Sequence, residues 1–299
     1  TMNTASTDPL KDLYQDWSEL MASTPNLSMR LFRSIFDEWH QPTTEPTDVT
    51  YSEEVVGGVP GIWCHPVGAD EKRVLLYAHG GGFAVGSAFS HRKLAAHFAK
   101  ALGVQALVLD YRRAPEHPHP AQVEDVVSAF LALVERGIAP QDITVIGDSA
   151  GANLAVATAV LLRDQALPLP GDVIALSPWL DMENRGETLV SNDATDALIS
   201  VGLLEGMIAG VLGDRVSPTE PLANPLYAHF DGFPRLYITA RGDESLLDNA
   251  TRLEQLAQDA GVDVTLSVVE GQQHVFPFNA GRTAAADDQI NEIAKWHAR

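Results

Sequence analysis

Short and nearly continuous apolar runs recur along the chain, and they predict the strands of a buried sheet. The runs VLLYAH, VQALVLD, ITVIGD and VIALS contain few polar positions, as expected for parallel strands that are covered on both faces. Together with neighbouring β-rich segments they give eight predicted strands: residues 51–56, 61–65, 73–79, 104–110, 142–147, 172–176, 235–239 and 263–269.

Helical periodicity separates the later strands. Apolar positions at helical spacing predict helices near residues 90–101, 121–136, 150–164, 246–260 and 284–297. This alternation of strands and helices indicates an open α/β sheet. Eight strands, the first of them joined without helices, suit a mostly parallel sheet of the α/β-hydrolase fold, in a single domain spanning residues 1–299.

Two segments do not follow the alternation. Apolar residues at helical spacing predict helices near 10–21 and 31–39, and no strand is predicted between Leu180 and Pro234. A further amphipathic helix is predicted there, with apolar positions Leu204, Met207, Ile208, Val211 and Leu212. We expect residues 1–45 and 182–222, called the cap below, to fold over the carboxyl edge of the sheet. The alternative is a helical excursion packed beside the sheet.

Charge and composition restrict the function classes. Forty acidic against twenty basic residues give a formal net charge of -20, which disfavours nucleic acid and anionic membrane surfaces as partners. The single cysteine, Cys64, excludes an intrachain disulfide. The N-terminus lacks the pattern of a signal peptide, and no apolar run approaches the length that spans a bilayer. These features favour a cytoplasmic enzyme.

Gly147 to Gly151 form a G-x-S-x-G sequence centred on Ser149. The pentapeptide follows a predicted strand and opens a predicted helix, which is the setting of a nucleophile elbow. Glycines flank the serine because bulkier residues would clash in so sharp a turn. The alternative is a serine that caps a helix, followed by a packing glycine.

A second glycine-rich turn strengthens the catalytic interpretation. Gly80, Gly81 and Gly82 follow His79 at the end of another predicted strand. Without side chains, their backbone N–H groups can approach a reacting carbonyl, which is what an oxyanion hole requires.

A nucleophilic serine needs a base, and the ten histidines offer several candidates. His274 lies just past the last predicted strand, where this fold carries its base. His297 is near the C-terminal end and is expected at the surface. His117 and His119 form an H-x-H pair, but no third ligand lies at a spacing that suits a metal. We therefore expect no metal site.

The acid that orients the base should follow the strand at 235–239. Three carboxylates, Asp243, Glu244 and Asp248, lie there. Because adjacent side chains on a turn point in different directions, one of Asp243 and Glu244 can reach His274. The residues alone leave that choice open.

Four ordered motifs resemble the bacterial hormone-sensitive lipase-like esterases. The sequences HGGGF (79–83) and GDSAG (147–151) match two signatures of that family. Between them, DYRRAPEHPHPA (110–121) closely matches the family segment DYRLAPEHPFPA, and SPWLD (177–181) is similar to its SPW-x-D stretch. The resemblance covers roughly residue 50 to the end.

The resemblance implies a serine carboxylesterase with a triad of Ser149, Glu244 and His274. Glu244 fits the register of the family's acidic segment, with Asp243 as the alternative and Asp248 a distant third. The oxyanion donors would be the amides of Gly81, Gly82 and Ala150. His79 would be a scaffold residue, and the H-x-H pair would be structural.

The resemblance also implies the ligands and partners. No cofactor is expected. The substrate would be a short-chain or small hydrophobic carboxylic ester, hydrolysed through an acyl-enzyme intermediate, with lactones as a further class to consider, and a homodimer is plausible. Apolar cap residues suggest a pocket for small hydrophobic groups, although they could equally belong to the core: Trp17, Leu20, Met21, Leu204 and Met207. A ligand receptor on the same fold is the rival interpretation, and His274, which such receptors lack, argues against it.

Overall fold

The computed structural model describes residues 7–298. Within them, one eight-stranded sheet has the order β1-β2-β4-β3-β5-β6-β7-β8. The strands are β1 (Val49–Val56), β2 (Val59–Pro66), β3 (Asp70–Ala78), β4 (Val104–Leu109), β5 (Ile143–Asp148), β6 (Asp172–Leu176), β7 (Arg235–Arg241) and β8 (Val264–Val269).

Helices pack against the sheet. They are α1 (Pro9–Ser23), α2 (Met29–Phe36), α3 (Ala88–Leu102), α4 (Ala121–Glu135), α5 (Ala150–Asp164), α6 (Thr188–Ser191), α7 (Val201–Leu212), α8 (Leu247–Asp259) and α9 (Ala284–His297). Their starts follow from the sequence, since hydroxyl oxygens of Ser28, Ser87, Ser200 and Thr283 accept bonds from backbone amides of the first turn. In residues 7–298 no helix combines the length and the apolar character needed to cross a bilayer.

The predicted fold class is confirmed. β1 pairs with β2 and β2 with β4 in antiparallel fashion, whereas β4, β3, β5, β6, β7 and β8 are parallel. The first three strands are joined without helices. Each predicted strand overlaps an observed one, and β5 and β6 are buried along their whole length, which explains their unbroken apolar sequences.

The surface position expected for His297 is wrong. The side chain is buried, and its Nε2 lies 3.0 Å from the hydroxyl of Thr144 on β5. Its Nδ1 lies 3.3 Å from a guanidinium nitrogen of Arg73 on β3. Because α9 packs its apolar face against the protein, the last turn of this helix lies against the amino ends of the strands instead of in solvent.

Candidate active site

The backbone at Ser149 has the geometry of a nucleophile elbow. Ser149 connects β5 to α5 with φ 53° and ψ -116°, a strained conformation for a residue with a side chain. A Cβ at Gly147 would overlap the carbonyl of Gly151, and one at Gly151 would overlap the carbonyl of Ala78. The amide of Ser149 donates to the carbonyl of Leu176 on the neighbouring strand at 2.8 Å. These contacts explain both glycines of the pentapeptide.

Residues 79–86, called the oxyanion loop below, follow β3 at the same edge of the sheet. Gly81 and Gly82 have φ values of 122° and 60°, and a Cβ at Gly81 would overlap the carbonyl of Val85. In the described part of the chain, the amides of Gly81 and Gly82 donate to no protein acceptor. Ala150 is the first residue of α5, so its amide also lacks an intrahelical partner.

His274 and Glu244 form a buried pair. Nδ1 of His274 lies 3.1 Å from Oε1 of Glu244, and the two side chains are 1% and 0% exposed. With Nδ1 donating to the carboxylate, Nε2 is left as the acceptor nitrogen of the ring. Among residues 7–298, Nε2 has no hydrogen-bond partner. This nitrogen is therefore free to take a proton from a hydroxyl that approaches it.

Several donors hold the second carboxylate oxygen of Glu244. Oε2 accepts from the hydroxyl of Ser177 at 3.0 Å, and from the amide and Nε of Arg241 at 2.9 and 3.1 Å. Burial by itself raises the pKa of Glu244, but the charge of Arg241 and the hydrogen bond with His274 outweigh it and lower the pKa to about 2. Glu244 is thus ionised at neutral pH, as a group that stabilises an imidazolium must be.

The other two candidate acids lie elsewhere. Asp243 is half-buried, and its carbonyl accepts from the hydroxyl of Thr195. The carboxylate of Asp248 accepts from the amide of Thr188 at 2.9 Å. Glu244 is therefore the carboxylate of this loop that the structure brings against His274.

His79 is engaged with the backbone of the oxyanion loop and not with the serine. Its Nδ1 lies 2.7 Å from the carbonyl of Gly80, and its ring stacks on Tyr111 at a centroid distance of 4.2 Å. Burial and the neighbouring His91 lower the pKa of His79 to about 3, so the ring is neutral at neutral pH. These contacts agree with the scaffold position expected for this residue.

Some residues that support the site were not predicted as site residues. Ser177 donates to Glu244, and its Oγ accepts from the amide of Val275 at 3.3 Å, so it joins the acid to the His274 segment. Its position in the SPWLD stretch was the available signal. Arg241 is fully buried beside Glu244. The signal for Arg241 in the sequence was its position close to Glu244.

A narrow apolar cavity lies over Ser149. The volume of this cavity is about 30 Å³. Its lining combines the candidate site residues with residues of α2, α7 and the segments beside them: Phe36, Trp39, Gly81, Gly82, Ser149, Trp179, Leu198, Ile199, Leu203, Leu204, Met207 and His274.

The apolar cap residues singled out by sequence have different positions. Leu204 and Met207 line the cavity. Trp17 instead packs into an aromatic cluster, with ring centroids 4.7 Å from Phe36 and 5.8 Å from Trp39. Leu20 is 46% exposed, and Met21 lines a separate surface cleft.

The H-x-H pair does not form part of a metal cluster. Nε2 of His119 lies 2.7 Å from the carboxylate of Glu220, whereas His117 is exposed. Within residues 7–298 no group of three or more His, Cys, Asp or Glu side chains is arranged to hold a metal ion.

The chain is similar in sequence and in structure to known hydrolases. The sequence model of a family described as having the α/β-hydrolase fold matches residues 75–278. The chain is 38% identical over 266 residues to an acetyl-hydrolase of Streptomyces hygroscopicus, with 83% of this chain and 88% of that protein covered. It is also similar to a crystal structure of an esterase from the bacterial hormone-sensitive lipase family, with 37% identity, a TM-score of 0.91 and 98% of each chain covered.

The chain belongs to the bacterial hormone-sensitive lipase family of α/β hydrolases. A third relative, an esterase of Acinetobacter venetianus, is 36% identical over 213 residues, which are 71% of this chain and 70% of that protein. This member of the hormone-sensitive lipase family is accordingly a carboxylic ester hydrolase. The rival interpretation, a receptor without catalytic activity, is set aside.

Proposed function

We propose that the protein is a serine carboxylesterase that hydrolyses short-chain carboxylic esters through an acyl-enzyme intermediate on Ser149. The observation that carries the proposal is that three features line the same cavity. These are the strained Ser149 elbow, the unpartnered Nε2 of His274 backed by Glu244, and the unpartnered amides of Gly81 and Gly82.

In the first half of the reaction, the Ser149 hydroxyl attacks the ester carbonyl while Nε2 of His274 takes its proton. Glu244 holds the ring through Nδ1 and stabilises the imidazolium that forms. The tetrahedral intermediate then collapses, the bond to the alcohol oxygen breaks, and the alcohol leaves with the proton from Nε2. The product of this half is the acyl ester of Ser149.

In the second half, His274 takes a proton from water as the water attacks the acyl carbonyl. Collapse of the second tetrahedral intermediate returns the proton to Ser149 and releases the carboxylic acid. Both intermediates carry negative charge on the former carbonyl oxygen, which the amides of Gly81, Gly82 and Ala150 would stabilise. One such donor is worth about 3–4 kcal/mol of transition-state stabilisation.

The lining of the cavity supports a preference for short acyl groups. The space above Ser149 is narrow, and the aromatic rings of Phe36, Trp39 and Trp179 form part of its lining. A long acyl chain needs more room than this lining leaves, and displacing packed side chains to make that room costs free energy. The Streptomyces hygroscopicus relative is named an acetyl-hydrolase, which agrees with a small acyl group.

The test is hydrolysis of p-nitrophenyl acetate, butyrate, octanoate and palmitate by the wild type, Ser149→Ala and Ser52→Ala. Ser52 is an exposed serine on β1 and serves as the matched control. We expect activity that decreases from butyrate to palmitate, a loss of at least about 10⁴-fold in Ser149→Ala, and no change in Ser52→Ala. Full activity of folded Ser149→Ala would disprove the nucleophile, and a preference for palmitate would disprove the short-chain assignment.

Lactones are a second substrate class to be tested, because an intramolecular ester needs the same machinery. A panel of γ- and δ-lactones, assayed by proton release beside ethyl butyrate, compares the two classes directly. Comparable kcat/KM values would extend the proposed substrate range to cyclic esters.

Two expectations about the cellular context stay predictions. A homodimer would be detected as twice the chain's mass of 32.2 kDa by light scattering. A cytoplasmic location would be detected by fractionating cells of the source organism.

A further inference from the structure

Arg33, on the cap helix α2, reaches the oxyanion loop. Its Nε donates to the carbonyl of Ala84 at 2.9 Å, and its Nη2 donates to the carbonyl of Ala114 at 3.0 Å. The guanidinium is fixed from its outer side by Glu116, whose oxygens lie 2.7 and 3.1 Å from Nη1 and Nη2. The Arg33 side chain is 19% exposed, so most of it is enclosed between the cap and the sheet edge.

The bond to Ala84 acts close to the proposed oxyanion donors. Ala84 lies two residues after Gly82, and the amides of Ala84 and Val85 both donate to the carbonyl of Gly81, at 3.0 and 2.9 Å. Gly81 through Val85 therefore form one tight turn. A change in the orientation of the Ala84 carbonyl would rotate this turn and move the Gly82 amide with it.

Other bonds to this loop come from the segment after β4. Ala114 donates from its amide to the carbonyl of Phe83 at 2.8 Å, and Nη1 of Arg113 donates to the carbonyl of Gly86 at 2.9 Å. Arg33 bonds to both sides of this arrangement, at Ala84 and at Ala114. It thereby connects the cap helix that carries Phe36, a cavity-lining residue, to the backbone of the oxyanion loop.

We propose that Arg33 is a positioning residue for the oxyanion hole, and that through it the cap sets the orientation of the Gly81 and Gly82 amides. The proposal rests on the oxyanion role proposed above for these amides. Because acylation and deacylation both pass through an oxyanion, misorientation of the donors lowers kcat whichever step is slower. Ground-state binding of the ester depends on the apolar cavity and is affected little.

The test compares Arg33→Ala with a matched control, Arg163→Ala. Arg163, on α5, also has a side chain that is 19% exposed. It also donates to two backbone carbonyls, those of His229 and Asp231, and pairs with a carboxylate, Asp164. It bonds to no residue of the oxyanion loop. The two substitutions therefore remove similar interactions. They differ in that only Arg33→Ala removes a hydrogen bond to the oxyanion loop.

Each variant is assayed for kcat and KM on p-nitrophenyl butyrate, for melting temperature, and for inhibition by an aryl trifluoromethyl ketone. This inhibitor forms a tetrahedral adduct with a nucleophilic serine and places an oxyanion against the donors. For Arg33→Ala we expect kcat to fall about tenfold, KM to stay within about twofold, and the inhibition constant to rise in parallel with kcat. Arg163→Ala should show a similar decrease in melting temperature, with kcat unchanged.

Two further variants keep the proposal falsifiable if Arg33→Ala does not fold. Arg33→Lys retains the charge but can donate along fewer directions, so kcat should fall by less than in the alanine variant. Glu116→Gln weakens the outer clamp and should lower kcat by about two- to threefold. Unchanged kcat and inhibitor affinity in the folded variants would overturn the proposal, as would an effect on KM alone.

The experiments distinguish failure of the positioning role proposed for Arg33 from failure of the proposed catalytic roles. If Ser149→Ala retained activity, the catalytic roles themselves would be wrong. If Ser149→Ala were inactive while folded Arg33 variants behaved as the wild type, the positioning role would fail alone.

Discussion

The hydroxyl of Tyr14 donates a 2.7 Å hydrogen bond to the backbone carbonyl of His274. The same hydroxyl accepts from the indole Nε1 of Trp39 at 3.1 Å, and all three side chains are buried. Tyr14 lies on α1, so an N-terminal helix fixes the segment that carries the proposed base. Arg33 lies on α2 and contacts the oxyanion loop. Each of the two N-terminal helices therefore contacts a segment on which the proposed chemistry depends.

We expect Tyr14→Phe to lower both stability and kcat. The change leaves the carbonyl of His274 and the indole N–H of Trp39 buried without a partner, at about 1–3 kcal/mol of unfolding free energy per group. Loosening of the His274 segment should lower kcat by about five- to tenfold with little change in KM. Denaturant unfolding and steady-state kinetics measure the two effects.

The control for this substitution is Tyr51→Phe. The Tyr51 hydroxyl donates to the exposed carboxylate of Glu45, away from the cavity. Its removal should change the unfolding free energy by less than about 0.5 kcal/mol. Equal kcat values for Tyr14→Phe and the wild type would show that the bond to His274 does not position the ring.

The strands and the Ser149 elbow could be predicted because their signals are local. A parallel strand buried on both faces must be apolar throughout, as ITVIGD is, and the turn after it admits only small residues at positions 147 and 151. The Tyr14–His274 bond joins residues 260 positions apart. Tyr14 has no distinguishing local sequence, so nothing in the pattern indicates this partner.

The directions of individual side chains could not be predicted from the sequence either. Asp243 and Glu244 are adjacent and chemically similar, and the direction of each depends on how the turn after β7 packs against Ser177 and Arg241. For the same reason the cap residues could be assigned to a helix but not to a cavity. Leu204 lines the cavity while Leu20 is 46% exposed, although both have apolar helical positions.

We expect Glu244→Gln to lower kcat far more than Asp243→Asn. Loss of the carboxylate removes the charge that stabilises the imidazolium and the acceptor that fixes Nδ1, which in serine hydrolases costs on the order of 10⁴-fold in kcat. Asp243→Asn should stay within about twofold of the wild type. The measurement is kcat on p-nitrophenyl butyrate, with circular dichroism to verify folding. The reverse ranking would assign the acid to Asp243.

Glu244 should also make stability depend on pH in the acid range. Its pKa, about 2 in the folded protein, lies below the ordinary value of about 4.3. Stabilisation by the ionised carboxylate is therefore complete above that ordinary value and is lost as the pH falls from about 4 towards 2.

Comparison with Glu244→Gln isolates this contribution. At pH 7 the variant leaves the buried guanidinium of Arg241 without its carboxylate partner, so we expect roughly 3–5 kcal/mol less unfolding free energy than in the wild type. The difference should narrow below pH 4, as the wild-type carboxyl group takes up a proton. Denaturant titrations between pH 7 and pH 3 measure it. A difference that stayed constant over this range would show that the carboxylate of Glu244 is not specifically stabilised.

Leu203 separates the cavity over Ser149 from a surface cleft. Its side chain, with those of Leu198 and Ile199, lines both spaces. The cleft continues outward along Ser18 and Met21 of α1. Shortening this wall should therefore join the two spaces and admit longer chains.

We expect Leu203→Ala to improve hydrolysis of p-nitrophenyl hexanoate and octanoate about tenfold relative to the acetate, because added space for apolar carbons is worth about 1–3 kcal/mol in discrimination. The matched control is Leu31→Ala, a cap leucine on α2 that is 42% exposed and lines neither space. It should leave the acyl-length profile unchanged.

The readout is the ratio of kcat/KM for octanoate to that for acetate, which does not depend on the amount of active enzyme. An unchanged ratio in Leu203→Ala would mean that the acyl chain does not extend towards the cleft, and that the wall at Leu203 faces the alcohol group instead.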